Sequence, residues 1–370
     1  MYHPSFRLLP VLLLAVLLST CTDPVAPVYQ FETGFLLMEG RITDTEGYSE
    51  VRLSRNELQF GDYALVAIDD ADVRVVDDQG EEVQFSVTDQ GGVYRAPEGW
   101  TGETGRTYQL RVVTQQGEIV ESEPEPMPTS VPIAESRVRF EQEAYFSVGR
   151  NRFIPAFTLE VDVDDPAEEE NFYQYRYTTF QTIAICASCE RSRWRNGECI
   201  PGDDTRFVPR WDYLCDTDCW VFTNGAGINI LSDEFGNGQR IENIPVGQLD
   251  FDRPGGLLFD FQQYNISRAA YEYNLVLRNL SEGAGGLNAP LPAALVGNLA
   301  DVSELRTPVL GFVGVSAVGL ERVFIDRDTV DGESLPYQLD YRPEPVMPSP
   351  PQAPCVGRNR TPERPEGWLD

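Results

Sequence analysis

The sequence contains no lysine, and its only histidine is His3. His3 precedes the one long apolar run, in a segment that export processing would remove, so a chain matured beyond it has neither residue. That excludes Ser-His-Asp and Cys-His nucleophile systems. It also excludes histidine metal sites, Schiff-base lysines and the lysine of a phosphate-binding loop. What is left for chemistry is carboxylate pairs, tyrosines, arginines and carboxylate-bound metal; no cofactor is expected. Apolar runs are scarce too. The single one, Leu8-Leu9-Pro10-Val11-Leu12-Leu13-Leu14-Ala15-Val16-Leu17-Leu18, falls short of the about 20 residues that a spanning helix needs.

That run follows a head with one firm positive charge, Arg7, and ends in Leu18-Ser19-Thr20-Cys21. Basic head, apolar core, small residues and then cysteine read as a bacterial lipoprotein signal. Residues 1–20 are therefore expected to be the signal and Cys21 the acylated first residue. Residues 21–30, with Pro24 and Pro27, are expected to form a tether. Several acyl chains bury enough CH₂ groups for stable attachment where one chain is marginal, so membrane contact is expected through lipid alone. An unlipidated signal, or an N-terminal anchor, is the plainer alternative.

Charge is lopsided. The formal net charge is −30, and all the basic residues are arginine. Such a surface repels nucleic acid and anionic lipid headgroups, so neither is an expected partner. The arginine bias fits either a saline habitat, where salt screens self-repulsion, or a GC-rich genome. Of seven cysteines, those other than Cys21 are Cys186, Cys189, Cys199, Cys215, Cys219 and Cys355. An even set in an exported chain implies up to three disulfides, with 15 possible pairings. Cys186, Cys189, Cys215 and Cys219 as a four-thiolate zinc site is the less favoured alternative.

The expected fold is mainly β, an N-terminal Ig-like β-sandwich followed by a larger β-rich domain. Gly 31 and Pro 27, among many Val, Thr, Tyr and Phe, argue for short strands and turns rather than helices. Residues 31–130 carry alternating strands at regular spacing, among them Ala71 to Val76, then the turn Asp77-Asp78-Gln79-Gly80, then Thr107 to Val112. Glu121 to Pro128, with Pro124, Pro126 and Pro128, marks the boundary. Residues 131–342 form the second domain, with a disulfide-stapled loop over 186–219 and one helix over 267–281, N-capped by Ser267 and ended at Gly283. Val309 to Ser316 and Glu321 to Asp326 are expected to pair as a closing hairpin. Residues 343–370 are a Pro-rich tail that only Cys355 can tie back.

Three groups are candidate sites. Asp162, Asp164 and Asp165, with Glu168, Glu169 and Glu170, supply hard oxygen ligands for Ca²⁺, or more simply a solvated turn. Asp233 to Gly238 is a hairpin tip rather than a metal loop. Trp194, Trp211, Tyr213 and Trp220, near arginines, suit a stacking platform for a sugar or peptide, against the plainer reading of a small core packed on the disulfides.

The stretches Met38-Glu39-Gly40-Arg41-Ile42-Thr43, Val51 to Ser54, Ala71-Asp72-Val73 to Tyr94 and Thr107 to Leu110 carry a resemblance. So do Ser267 to Tyr273, Pro292-Ala293-Ala294-Leu295-Val296-Gly297-Asn298-Leu299, Val309 to Val313, and the ending Pro365-Glu366-Gly367-Trp368. In this order and spacing the chain resembles the Bacteroidota lipoproteins of domain-of-unknown-function family 4249 (DUF4249). It departs in having a single tail cysteine where relatives are expected to carry a close pair. The resemblance implies an outer-membrane lipoprotein, encoded with a TonB-dependent receptor and capturing a nutrient beside it. No catalytic residues follow from it. A non-enzymatic accessory or ligand-capture partner of that transporter is thus the expected function. A glycan-active enzyme using paired carboxylates, or a structural adhesin, is the alternative.

Overall fold

The computed structural model describes residues 34–167, 169–183, 219–283, 295–336, 355 and 359–369, and the backbone alone of 185–187, 192–195, 198–201 and 214–217. The signal, Cys21 and the tether lie outside these residues. The described chain is mainly β. Alternation sets the first strands: in β1 (Leu36–Thr43) Leu36, Met38 and Ile42 are buried while Glu39 is exposed. The next strands are β2 (Glu50–Gln59), β3 (Asp62–Ala67), β4 (Asp72–Asp77), β5 (Glu82–Val87) and β6 (Val93–Arg95). They are followed by β7 (Thr107–Val113), β8 (Ile119–Ser122) and β9 (Glu125–Pro126). Between β4 and β5 the Asp77 carboxylate accepts the amides of Gln79 and Glu81, each at 2.9 Å, and Gly80 has φ +83°. The expected turn is there, closed by a side chain that competes well for turn amides.

The second half begins with long strands, β10 (Ile133–Ser147), β11 (Arg152–Asp164) and β12 (Phe172–Thr182). Four short strands follow: β13 (Ile185–Ala187), β14 (Ser192–Arg195), β15 (Glu198–Pro201) and β16 (Leu214–Thr217). Then come β17 (Trp220–Asn224), β18 (Asn229–Ser232), β19 (Arg240–Asp250) and β20 (Gly256–Ile266). The helix α1 (Arg268–Gly283), β21 (Leu299–Asp301), β22 (Val309–Asp326) and β23 (Arg360–Thr361) complete the order. The helix starts where expected. Ser267 Oγ accepts the Ala270 amide at 3.1 Å and donates to Glu125 at 2.9 Å.

One sheet runs β21-β8-β7-β4-β5-β6-β2-β1-β22-β20-β12-β17-β23. Its first part folds over, so that Val73, Val75, Leu110, Val112 and Val120 from one wall meet Leu36, Met38, Val51, Leu53, Val313 and Val315 from the other in a first core. A separate sheet, β10-β11-β19, packs on its later part. Leu159, Val161 and Val163 of β11 close there over Tyr173, Tyr175, Leu257, Phe259 and Phe261 in a second core.

The expected hairpin over 309–326 is instead one strand of 18 residues, β22. Gly319 lies where that hairpin's turn would fall, yet its backbone is extended, and the Val131 carbonyl oxygen packs 3.0 Å from where a Cβ would stand. The first half of β22 runs parallel to β1, and the second half antiparallel to β20. Strands therefore cross the boundary expected near residue 130: Val313, Val315 and Ala317 enter the first core, while Val323 and Ile325 pack on the second.

Among the described residues each half of β22 has one edge without a strand partner, and side chains bond several of the backbone groups there. Asn298 donates to the Val313 carbonyl at 2.8 Å and accepts its amide at 3.0 Å, Glu125 accepts the Val315 amide at 3.0 Å, and Asp44 accepts the Val318 amide at 2.8 Å. Gly311, at φ +112°, leaves no room for a Cβ against the Met38 carbonyl, and Gly297 none against that of Gly311. Replacing Gly311 with alanine combines left-handed strain with overlap and is expected to cost about 3 kcal/mol. Chemical denaturation of Gly311→Ala checks this; an unchanged midpoint would contradict the parallel pairing.

Candidate functional site

On β20 the odd residues face the second core, which places Asp260, Gln262 and Tyr264 together on the opposite face of the sheet. Register sets their neighbours. Arg176 of β12 lies opposite Gln262, Thr178 opposite Asp260, and Arg322 of β22 opposite Asp260 from the other side. The Tyr264 hydroxyl donates to Gln262 at 3.0 Å, and the Gln262 amide donates to Thr178 at 3.1 Å. The helix covers one end of this face, with Tyr271 on Phe172 and Tyr273 on Phe312.

Asp260 is 5% exposed. The Tyr48 hydroxyl donates to its Oδ2 at 3.1 Å, and Arg322 Nε stands 3.8 Å from the same oxygen. Its other oxygen, Oδ1, is buried without a hydrogen-bond donor. Burial raises the Asp260 carboxyl above its ordinary range, although Arg322 and the Tyr48 bond pull the other way. Burial, reinforced by Asp260, pushes the Tyr48 phenol up.

Asp260, Arg322 and Phe180 line a cavity of about 200 Å³ whose remaining wall is the C-terminal segment, from Thr361 to Glu366. That segment is fixed in several ways. β23 pairs with β17, Trp368 packs edge-on against both Trp220 and Phe324, and Glu366 pairs with Arg322. Cys355 is disulfide-bonded to Cys219, 136 residues away. Closing so long a loop restrains the unfolded chain by about 5 kcal/mol on the chain-entropy account.

The residues singled out from sequence fall in different places. The Cys219–Cys355 bond takes Cys219 out of any four-thiolate zinc set. The side chains of Cys186, Cys199, Cys215 and Trp194, and all of Cys189, Trp211 and Tyr213, lie outside the described residues. Trp220 is buried against Trp368, so its ring is not open to a ligand. Asp162 is ringed by donors, accepting from Arg137, from Arg240 at 3.0 Å and from the Asn243 amide at 2.8 Å. The Arg137 bond, reinforced by the others, holds its carboxyl far below the usual range. Asp164 pairs with Arg240 at 3.3 Å, while Asp165 accepts from Tyr173 and from the Gly238 amide at 2.9 Å. These oxygens serve arginines, a phenol and backbone amides rather than one common centre. Asp233 accepts the Asn171 amide at 2.7 Å, and it opens the expected turn.

Chemically the face offers donors and acceptors on a rigid sheet. Of the three carboxylates at the cavity, Asp260 and Glu366 are both contacted by the Arg322 guanidinium, and Glu363 stands on the C-terminal wall. Sequence reasoning missed Asp260, Tyr48 and Arg322. The available signal was an acid within an apolar run, Leu257-Leu258-Phe259-Asp260-Phe261, since an unpaired charge is seldom kept in such a run.

Two cores, a shared strand and a disulfide-clamped C-terminal segment define a mainly β protein with a polar sheet face as its candidate site. The chain matches the family described as Domain of unknown function (DUF4249) over residues 22–322, and it belongs to that family. The match starts directly after Cys21 and stops before the segment that walls the cavity. No curated protein matches the chain.

Because the Asp260 carboxyl is raised in the folded state, the folded protein binds its proton more tightly than the unfolded chain. Stability from this group is full below the unfolded value and is lost as pH rises through the folded one. Asp260→Asn keeps an acceptor for Tyr48 and removes the charge. Its melting temperature relative to the parent is expected to climb between pH 4 and pH 8. A difference that is flat or falling with pH would contradict the assignment.

Proposed function

We propose that this chain is a non-enzymatic, lipid-anchored ligand-capture module of the outer membrane that works beside a TonB-dependent transporter. The observation that carries capture is the cavity between the Asp260 face and the C-terminal segment. Its floor belongs to a rigid sheet, and its wall is a separate length of chain held by Cys219–Cys355. Preformed concave sites with a few fixed polar groups are the usual form of small-ligand sites. The anchor is supported by the pattern ending in Cys21, and an oxidising compartment by the disulfide. The non-enzymatic part is supported by the missing histidine and lysine downstream of the signal and by the Arg322 guanidinium that engages both Asp260 and Glu366. A net charge of −30 makes nucleic acid an unsuitable partner. The test is co-purification. When tagged full-length chain is extracted from the source cell's membranes in mild detergent, a β-barrel transporter is expected with it, and Cys21→Ser is expected to leave the membrane fraction. Recovery of the chain from outer membranes without any barrel would overturn the proposal.

A further inference from the structure

Two residues close the β2–β3 hairpin, Phe60 at φ +54° and Gly61 at φ +94°. A two-residue loop with positive φ at both positions favours Asn, Asp or Gly at the first, because larger side chains crowd the backbone there. Here that position holds a phenylalanine, and its ring is fully exposed. The arms continue the apolar character. Leu58 stands opposite Tyr63, and Leu65 is the next residue of β3 on the same face. Leu58 and Leu65 are each 56% exposed, and Tyr63 is nearly half exposed. An aromatic kept in a strained conformation and in water, at the head of an apolar face, points to a partner outside the fold.

The place of the hairpin in the sheet selects that partner. β1 pairs with β2 from Leu36 opposite Arg55 to Arg41 opposite Glu50. Beyond Asn56 the hairpin therefore runs past the start of β1, and its loop stands about 13 Å further out. Gly34 sits at this step. Its amide donates to the Asn56 carbonyl at 2.9 Å, and its carbonyl accepts from Arg55 at 3.2 Å. β1 runs away from the loop, so the chain enters β1 from the side towards which the hairpin projects. Across β1, the Pro308 carbonyl accepts the Leu36 amide at 2.9 Å. That brings the segment before β22, with Val302 and Leu305 exposed, to the same end.

Cys21 precedes Gly34 by 13 positions, and so many residues span at most about 45 Å when fully extended. A bilayer holding an acylated Cys21 stays within that distance of Gly34. A second exposed apolar loop, with Val148 between β10 and β11, lies past the other end of β22. Pro155 accepts the Phe251 amide there, and Gly256 pairs with Asp326. The 18 residues of β22 separate that loop from Gly34 by about 60 Å, so a bilayer touching it would be out of the anchor's reach. The charges within 57–65 are Glu57 and Asp62, both acidic, which suits a zwitterionic lipid surface rather than an anionic one.

We infer that the β2–β3 hairpin is a second point of membrane contact, with the Phe60 loop seated in the headgroup region of the bilayer that holds Cys21. Aromatic rings suit that region, and apolar area buried in it adds to the hold of an acyl anchor. The inference rests on the lipid-anchor reading and adds which end of the module meets the bilayer. It is the end away from the cavity, since Asp260 lies opposite Arg322, near the far end of β22.

The test is tryptophan fluorescence of the intact lipidated chain reconstituted in vesicles of phosphatidylethanolamine and phosphatidylcholine, with and without brominated phosphatidylcholine. Relative to the parent, Phe60→Trp is expected to add emission that the bromolipid quenches at least about twofold. Val148→Trp is expected to add emission that the bromolipid leaves unchanged. Should Phe60→Trp fail to fold, Leu58→Trp carries the same expectation. Absence of quenching in the hairpin variant while the chain stays on the vesicles would overturn the inference, and so would equal quenching in Val148→Trp. Emission that shifts only when a β-barrel transporter is added, without bromolipid quenching, would make the hairpin a protein-docking surface and also overturn it. A chain that does not stay on the vesicles would overturn both this inference and the anchor reading. Quenching of Phe60→Trp in a chain that co-purifies with no barrel would uphold this inference and remove the transporter reading, so the two fail separately.

Discussion

Everything described here depends on one strand shared between two cores. β22 is parallel to β1 for its first half and antiparallel to β20 for its second, so neither core is complete without it. A parallel neighbour needs a long crossover, and here nearly the whole chain between β1 and β22 serves as one. The cost of such a distant pairing is loop-closure entropy. It is offset by burial of Val313, Val315 and Ala317 in one core and by packing of Val323 and Ile325 on the other.

The same strand explains why the site is where it is. Its even residues, from Phe312 to Arg322, share a face with Arg41 of β1 and with Asp260, Gln262 and Tyr264 of β20. The two larger cores occupy the other side of the sheet, and this face carries a smaller apolar cluster of Phe172, Tyr264, Ile266, Ala270 and Val318 beside its polar groups. Helix α1 closes one end and the disulfide-bound C-terminal segment closes the other. Buried polar groups held on a rigid sheet lose little entropy when a ligand meets them, the usual basis of preorganised binding.

Much of this was legible in the sequence, and the rest was hidden for identifiable reasons. Alternation showed β1, β4 and β7; Ser267 and Gly283 bracketed the helix. Local chemistry did not reveal that 309–326 is one strand, because Gly319 looks like a turn residue and is in fact a packing residue for the Val131 carbonyl. Nor did it show that Gly297, Asn298 and Gly311 act together, since their contacts join segments that only the fold brings into touch. Trp220 read as a ligand platform because its burial depends on Trp368, 148 positions later in the numbering.

Whether β22 fuses the two cores into one cooperative body is read out by native-state amide hydrogen exchange. Slow amides of β4 and β7 and those of β12 and β20 are expected to open together with a single free energy, that of global unfolding. Two sets separated by more than about 2 kcal/mol, with one core still protected after the other has exchanged, would contradict it.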